Sequence, residues 1–279
     1  MEGDVPPSRV YSEQDLDESE LHPIANGLAA VYTAKSPQKE SANQDAAAIL
    51  PFSAKSGVLV IADGAGGLPA GARASEVAVS SIEGSLRKAA EEDDDLRGAI
   101  INGIENANQE LSERGTGAAT TLAAVEIQDN TVRSYHVGDS QIMVIGQRGK
   151  IKLLTKSHSP VGYAVEAGVL DEEQAMHHDE RHLISNAIGS GEMYIEIGSA
   201  LKMAPRDTVL VATDGLFDNL HTDEIVEICR KGRLLDNSQD LIARCRARMS
   251  EPEEGKPSKP DDLSFILYRR ESARKRDGT

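Results

Sequence analysis

The chain of 279 residues contains no tryptophan, three phenylalanines and six tyrosines, so a core of normal size must be built mainly from aliphatic side chains. It has only two cysteines, Cys229 and Cys245, whose spacing fits neither a zinc site nor a redox pair, and we predict two reduced thiols. No apolar run approaches the ~18 residues of a membrane-spanning helix. The acidic, polar N-terminus is not typical of a signal peptide. These absences favour a cytoplasmic protein.

Basic residues are also scarce, because 30 Lys and Arg face 46 Asp and Glu and give a formal net charge of −16. Nucleic-acid binding without sequence preference needs clustered Lys and Arg, so this balance argues against it. We therefore expect neither a nucleic-acid nor a membrane partner. Clustered acidic side chains would instead attract divalent cations.

The order of apolar patterns divides the chain into three parts. Residues 1–23 are polar and acidic, and they predict a poorly ordered tail. Residues 24–270 show strands, two helices near 70–111, a strand-rich middle, two further helices and a last strand, which predicts one domain. Residues 271–279 form a basic tail. Since regular βα alternation is missing, the order favours an α+β fold with antiparallel sheets, and the strand-rich middle predicts a meander.

Aspartates stand beside several apolar, strand-like runs, each next to glycine or a polar turn. The segments are NQDAAAIL with Asp45, GVLVIADG with Asp63, VGDS with Asp139, VLVATDG with Asp214 and PDDLS with Asp261 and Asp262. A carboxylate at the end of a buried strand is costly unless it is paired or bound to a metal. One Asp-Gly pair is an ordinary turn signal. The repetition of the pattern in five segments therefore carries the argument.

No Lys or Arg stands directly beside these aspartates as a matching partner, so the sequence indicates a divalent cation as the neutralising charge. Oxygen ligands alone are typical of Mg²⁺ or Mn²⁺ and not of zinc. The glycine after Asp63 would allow a sharp turn and could bring its own carbonyl oxygen to the metal.

Seven segments together resemble a known family. They are NQDA, VIADGAGGLPAGARAS, GTGAATTLAAVEI, YHVGDSQIMVI, LLTKSHSPVG with LISNAIG, VLVATDGLFDNL and PDDLSFILY. In sequence and order they are similar to the motifs of the metal-dependent Ser/Thr protein phosphatases, the type 2C family, in their bacterial form. The resemblance covers about residues 25–269.

The resemblance implies a fold and a set of ligands. The fold is a four-layer α-β-β-α sandwich of two antiparallel sheets flanked by helices, with a flap segment at about residues 158–192. Two Mn²⁺ or Mg²⁺ ions are implied. Asp63 would bridge them, the Gly64 carbonyl would bind one, and Asp214 and Asp261 would bind the other. Asp45 would act through a metal-bound water, and Asp139 would lie near a third metal.

The resemblance also implies an activity, which is hydrolysis of phosphoserine and phosphothreonine in proteins by a metal-activated water. The catalytic residues would be Asp45, Asp63, Asp214 and Asp261. The partners would be phosphorylated proteins, including a Ser/Thr kinase and its substrates, and the protein would act as a monomer.

The match departs from the family at the position that usually holds a phosphate-binding arginine, which is Glu40 here. Lys39 beside it is the candidate for phosphate binding, as a point charge without the arginine fork. The metal ligands are complete, whereas the residues that hold the phosphate are altered. Two alternatives therefore stay open, a catalytically weak phosphoprotein-binding module on the same fold and a metal-dependent hydrolase of small phosphoesters.

Overall fold

The computed structural model describes residues 5–65 and 70–270, so the predicted basic tail at 271–279 lies outside the described residues. The strands and helices, in chain order, are β1 (Arg9–Ser12), β2 (Glu20–Ile24), β3 (Gly27–Ala34), β4 (Asp45–Ser53), β5 (Ser56–Ala65), α1 (Ala70–Glu92), α2 (Leu96–Arg114), β6 (Ala119–Thr120), β7 (Leu122–Gln128), β8 (Thr131–Val137), β9 (Gln141–Ile145), β10 (Ile151–Leu154), α3 (Pro160–Glu166), α4 (Glu172–Met176), β11 (Glu196–Ile197), β12 (Leu201–Lys202), β13 (Thr208–Ala212), α5 (Asp214–Phe217), α6 (Thr222–Cys229), α7 (Leu234–Ser250) and β14 (Leu263–Arg270).

The strands form two sheets. The first has the order β1-β4-β5-β7-β8-β11, with β6 paired to β5 and β12 paired to β8. The second has the order β10-β9-β13-β14-β3-β2. Every described strand pair is antiparallel. The predicted class, an α+β sandwich of antiparallel sheets, is confirmed.

Strand β5 shows why the core has three apolar layers. Val58, Val60 and Ala62 face the layer under α1 and α2, whereas Leu59 and Ile61 face the second sheet. A strand that is buried on both faces is a continuous apolar run, which explains the sequence GVLVIA. On the far side of the second sheet, α6 and α7 cover a third layer that includes Leu210, Ile225 and Leu241. The order of layers is therefore α-β-β-α, as expected.

The first two helices follow their local sequence signals. The two helices predicted near residues 70–111 are α1 and α2. The acidic run 91–95 lies at the end of α1 and at the start of α2. The Asp95 carboxylate accepts a hydrogen bond from the Gly98 N–H (2.8 Å), which caps the first turn of α2. Gly115 ends α2 with a φ of 61°. In the parts of the chain that the structure describes, no helix combines the length and the apolar character needed to cross a bilayer.

Two expectations are corrected by the strand pairing. The segment predicted as a poorly ordered tail contains β1, which pairs with β4, and β2, which pairs with β3, so residues 9–12 and 20–24 are sheet edges. The predicted antiparallel meander is also wrong, because its four strands do not lie in one sheet. Strands β7 and β8 pair in the first sheet, whereas β9 and β10 belong to the second, so the chain crosses between sheets at Gly138–Ser140. Local alternation specifies strands but not the sheet that each strand joins.

Candidate active site

The sequence-predicted aspartates come from five separate segments. Asp45 is the first residue of β4 and lies directly opposite Asp63 of β5 in the register. Asp139 lies in the crossing between β8 and β9, and Asp214 begins α5 two residues after β13. Asp261 lies two residues before β14. The charges of Asp45, Asp139, Asp214 and Asp261 all act on the Asp63 carboxyl, so the five side chains form one acidic cluster.

Close backbone packing explains the glycines that follow two of these aspartates. A Cβ atom at Gly64 would lie 2.0 Å from the Gly71 carbonyl oxygen, and one at Gly215 would lie 1.9 Å from the Asp262 carbonyl oxygen. Neither glycine has a positive φ. The Asp-Gly pairs are therefore needed because α1 approaches β5 and because the segment before β14 approaches α5, and not because of a left-handed turn.

The electrostatics of the acidic cluster disfavour ionised carboxylates when no cation is present. Burial, and then the charge of Asp45, raise the pKa of Asp63 well above its usual range. Burial and the charge of Asp262 do the same to the pKa of Asp45. Burial and Asp214 raise the pKa of Asp139 to about 8 and the pKa of Asp261 to about 6. A bound cation would reverse these shifts by stabilising the ionised form.

Some buried oxygen atoms in the cluster have no hydrogen-bond partner among residues 5–65 and 70–270. Asp45 Oδ1, Asp139 Oδ1 and Asp214 Oδ1 are buried and accept no hydrogen bond from these residues, although Thr213 Oγ1 donates to Asp45 Oδ2 (3.1 Å). Buried acceptors of this kind are normally satisfied. A donor set made only of carboxylate and carbonyl oxygens suits a hard divalent cation. The residues present therefore fit the metal that the sequence predicts.

Lys259, together with Asp218, is the part of this site that sequence reasoning missed. The Lys259 ammonium contacts Asp214 Oδ2, Asp218 Oδ2 (3.0 Å) and Asp261 Oδ2 (3.2 Å). The expectation that no basic residue accompanies the aspartates is therefore wrong. Two signals were available: Lys259 stands two residues before Asp261, and Asp218 follows Asp214 by one helical turn. Burial alone would lower the pKa of Lys259, but the three carboxylates raise it far above its usual range.

Lys39, the candidate for phosphate binding, is held by its own neighbours. Its ammonium donates to Asp262 Oδ2 (2.5 Å) and to Gln44 Oε1 (2.9 Å). Asp262 is buried and also accepts from the N–H groups of Ser36 and Gln44. Glu40, by contrast, is exposed. Asp262 therefore anchors the loop before β4, and Lys39 reaches the site as part of that anchor.

A cavity of about 300 Å³ separates the acidic cluster from the predicted flap. Asp139, Asp214 and Asp218 line one side. On the other side lie α3 and α4 of the flap, which contribute Val161, Val165 and Met176. The site is therefore open to a ligand on the side that faces the flap.

A second group of possible ligands, His136, His158 and Glu196, lies outside the acidic cluster, with its ligand atoms within 4.8 Å of one another. The Gly138 N–H donates to His158 Nδ1 (3.2 Å), so His158 Nε2 carries the proton and donates to Glu196 Oε2 (3.2 Å). A cation there would have to displace that proton. Asn186 of the flap also donates to His158 Nδ1 (2.9 Å). The group therefore acts as a hydrogen-bonded connection between the flap and the first sheet.

Comparison with known proteins agrees with this geometry. The model of the family described as Protein phosphatase 2C matches residues 34–253. Protein phosphatase PhpP of Streptococcus pneumoniae is 30% identical over 214 residues, which cover 74% of this chain and 86% of that protein. The chain therefore belongs to the protein phosphatase 2C family, whose members are metal-dependent. It is an enzyme that dephosphorylates phosphoproteins, and the sequence-based prediction of its family and activity is confirmed.

Solved structures show the same fold. The S. agalactiae serine/threonine phosphatase has a TM-score of 0.74 and 29% identity, and the match covers 87% of this chain and 99% of that one. The catalytic domain of the serine/threonine protein phosphatase PstP, solved in complex with 2 manganese ions, has a TM-score of 0.66 and 22% identity over 86% of this chain and 96% of that one.

Proposed function

We propose that this protein removes phosphate from phosphoserine and phosphothreonine with two divalent cations, Mn²⁺ or Mg²⁺, held by the acidic cluster. The unpartnered buried oxygens of Asp45, Asp139 and Asp214 are the observation that carries the proposal. When bound, the cations supply an activated water and neutralise charge on the phosphoryl oxygens. Metal ions of this kind make a protein nucleophile unnecessary, and both cysteines are buried with thiol pKa values raised by burial.

We assign the ligands as follows. Asp63 would hold both cations, the Gly64 carbonyl oxygen would hold one of them, and Asp214 and Asp261 would hold the other. Asp45 would act through a metal-bound water, and Asp139 would contribute to a third, weaker site. The direct cross-strand pairing of Asp45 with Asp63 supports the assignment of both residues to one metal site, because two acidic residues with opposed Cα positions share one end of the sheet.

The phosphate is held on the side of the site that faces the flap. Lys39 supplies positive charge from the loop before β4, but its ion pair with Asp262 limits its reach. Domain organisation, location and partners belong to the same proposal. Residues 24–270, together with the edge strands β1 and β2, act as one phosphatase domain with the flap at about 158–192, in the cytoplasm and as a monomer. The substrates are phosphorylated proteins, including those of a Ser/Thr kinase.

The test uses a phosphothreonine peptide with the purified protein and Mn²⁺. We expect turnover that is abolished by EDTA and restored by excess Mn²⁺, and that falls at least about 100-fold in Asp63→Asn and Asp214→Asn. Asp240→Asn is the matched control, because Asp240 is an exposed aspartate on α7, and its rate should equal that of the wild type. Peptide binding without turnover at any Mn²⁺ concentration would contradict the proposal in favour of a binding module. Faster turnover of p-nitrophenyl phosphate and nucleotides than of the peptide would instead indicate a small-phosphoester hydrolase.

A further inference from the structure

The position of Lys259 among the ligand carboxylates has a consequence for metal binding. Its ammonium contacts Asp214 and Asp261, the two aspartates assigned to the same cation, and also Asp218, which is assigned to none. Within the described ranges, no other Lys or Arg forms an ion pair with any of these three aspartates. A positive charge of the protein itself therefore occupies part of the ligand set.

The main chain holds Lys259 in this position. The Lys259 N–H donates to Asn219 Oδ1 (2.9 Å), and the Asn219 side-chain amide donates to the Lys259 carbonyl oxygen (2.8 Å). The same amide donates to the carbonyl oxygen of Gly215 (2.9 Å), next to Asp214. Asn219 is completely buried. The lysine is therefore fixed to the segment that carries a ligand, and it is not a mobile surface side chain.

An ammonium at this place has two opposite effects. In the metal-free protein it offsets the repulsion between Asp214, Asp218 and Asp261, and so it stabilises the fold. When a divalent cation binds, the ammonium repels that cation and competes for the same oxygens. Asp218 has no assigned role at the cation that Asp214 and Asp261 share, so the lysine can keep this ion pair while it gives up the other two.

We infer that Lys259 is a built-in counter-cation that holds the ligands Asp214 and Asp261 in the absence of metal and thereby weakens the binding of the cation they share. This inference rests on the metal site of the proposed function. Lys259 is a positioning residue in this account, since it acts through the ligands. Lys259 therefore raises the concentration of free metal that is needed to fill that site.

The experiment measures Mn²⁺ binding by titration calorimetry and by electron paramagnetic resonance of free Mn²⁺, at one fixed pH, without substrate. We expect Lys259→Met to bind the weaker of the two ions about tenfold more tightly than the wild type, because an opposing charge has been removed. The free energy of unfolding of Lys259→Met in EDTA should be lower than that of the wild type. Lys259→Arg, which keeps the charge, should stay within about twofold of the wild type in affinity.

Lys256→Met is the matched control. Lys256 lies in the same loop and forms an ion pair with Glu253 (2.5 Å), but it is exposed, so its loss should leave Mn²⁺ affinity unchanged. Lys259→Gln provides a second uncharged variant if Lys259→Met does not fold without metal. Unchanged or weaker Mn²⁺ binding in both uncharged variants would overturn the inference while leaving the proposed function intact. Failure of the wild type to bind Mn²⁺ would instead contradict the proposed function itself.

Discussion

At the scale of single residues, the loop before β4 contains the predicted departure from the family pattern. Glu40 stands at the position where the resemblance implies an arginine; it is exposed and forms no ion pair with any described residue, while the neighbouring Lys39 is bound by Asp262. A glutamate near a phosphate dianion adds repulsion, and an arginine would add a bidentate donor. Glu40 should therefore limit substrate affinity and leave the chemical step unaffected.

Glu40→Arg should lower the KM for a phosphothreonine peptide by about two- to fivefold with little change in kcat, since exposed ion pairs contribute ~0.2–1 kcal/mol. Steady-state kinetics at saturating Mn²⁺ measures both constants. Glu18→Arg, an exposed charge reversal in the segment before β2, controls for the change in net charge. An unchanged KM would mean that residue 40 points away from the substrate.

The stacked histidines should make stability depend on pH. Burial lowers the pKa of His136 and of His158, which stack on one another, and so favours the neutral ring in the fold. The unfolded chain takes up protons near the ordinary histidine pKa of ~6.5, whereas the folded chain takes them up only at lower pH. The contribution of these two histidines to the free energy of unfolding is therefore fully present above about pH 6.5, and it is lost as the pH falls below that value.

Chemical unfolding of the wild type and of His136→Gln at several pH values isolates this effect, because the other titrating groups are common to both proteins. The stability advantage of the wild type over the variant should shrink between about pH 7.5 and about pH 5.5. A constant or growing advantage in that range would show that His136 is not held neutral.

At the scale of elements, the site is formed where strands end and helices begin. Strand β13 leads into α5 at Asp214, and Gly215 allows α5 to lie against the carbonyl oxygen of Asp262 just before β14. A side chain at Gly215 would push α5 away from β14, because a backbone atom cannot move as a flexible side chain does. The two ligands Asp214 and Asp261 would then separate.

Gly215→Ala should therefore lower the free energy of unfolding by about 2 kcal/mol or more and should weaken Mn²⁺ binding. Gly84→Ala is the matched control in α1, where a Cβ atom would meet nothing within 4 Å. That change should stabilise the protein by about 0.5–1 kcal/mol, since alanine is the better helix former. Urea unfolding in EDTA measures both changes, and equal effects at the two glycines would contradict the packing argument.

At the scale of the whole molecule, the aspartates connect metal binding to folding. They come from both sheets and from segments far apart in sequence, so the complete ligand set exists only in the folded chain. Any cation bound by this set stabilises the fold by mass action. A net charge of −16 adds to the attraction.

Mn²⁺ at about 100 times its Kd should raise the free energy of unfolding by ~2.7 kcal/mol per site. Thermal unfolding with and without the ion tests this, and Asp214→Asn should lose most of the gain. The same measurement with calcium or magnesium at equal concentration determines the selectivity of the site. Equal stabilisation of the wild type and of Asp214→Asn would place the bound ion elsewhere.

The sequence was sufficient for the fold class and for the segments that carry the aspartates, because both depend on local alternation and on motif order. It was not sufficient for contacts that arise only from tertiary structure. The edge strands β1 and β2 are polar, and their pairing with β4 and β3 cannot be read from their composition. The alternation of apolar and polar residues does not show that the chain crosses from the first sheet to the second at Gly138. The Lys259 ion pairs join residues up to 45 positions apart.

Asn219 connects α5 with the loop before β14, two segments that lie far apart in the sequence. The Asn219 side-chain amide donates to the carbonyl oxygens of Gly215 and Lys259. The segments that carry the ligands Asp214 and Asp261 are therefore rigidly connected. We expect the three bonds to break together on warming, because all of them depend on one completely buried side chain. Catalytic competence should therefore persist almost undiminished up to the melting transition and then vanish with it.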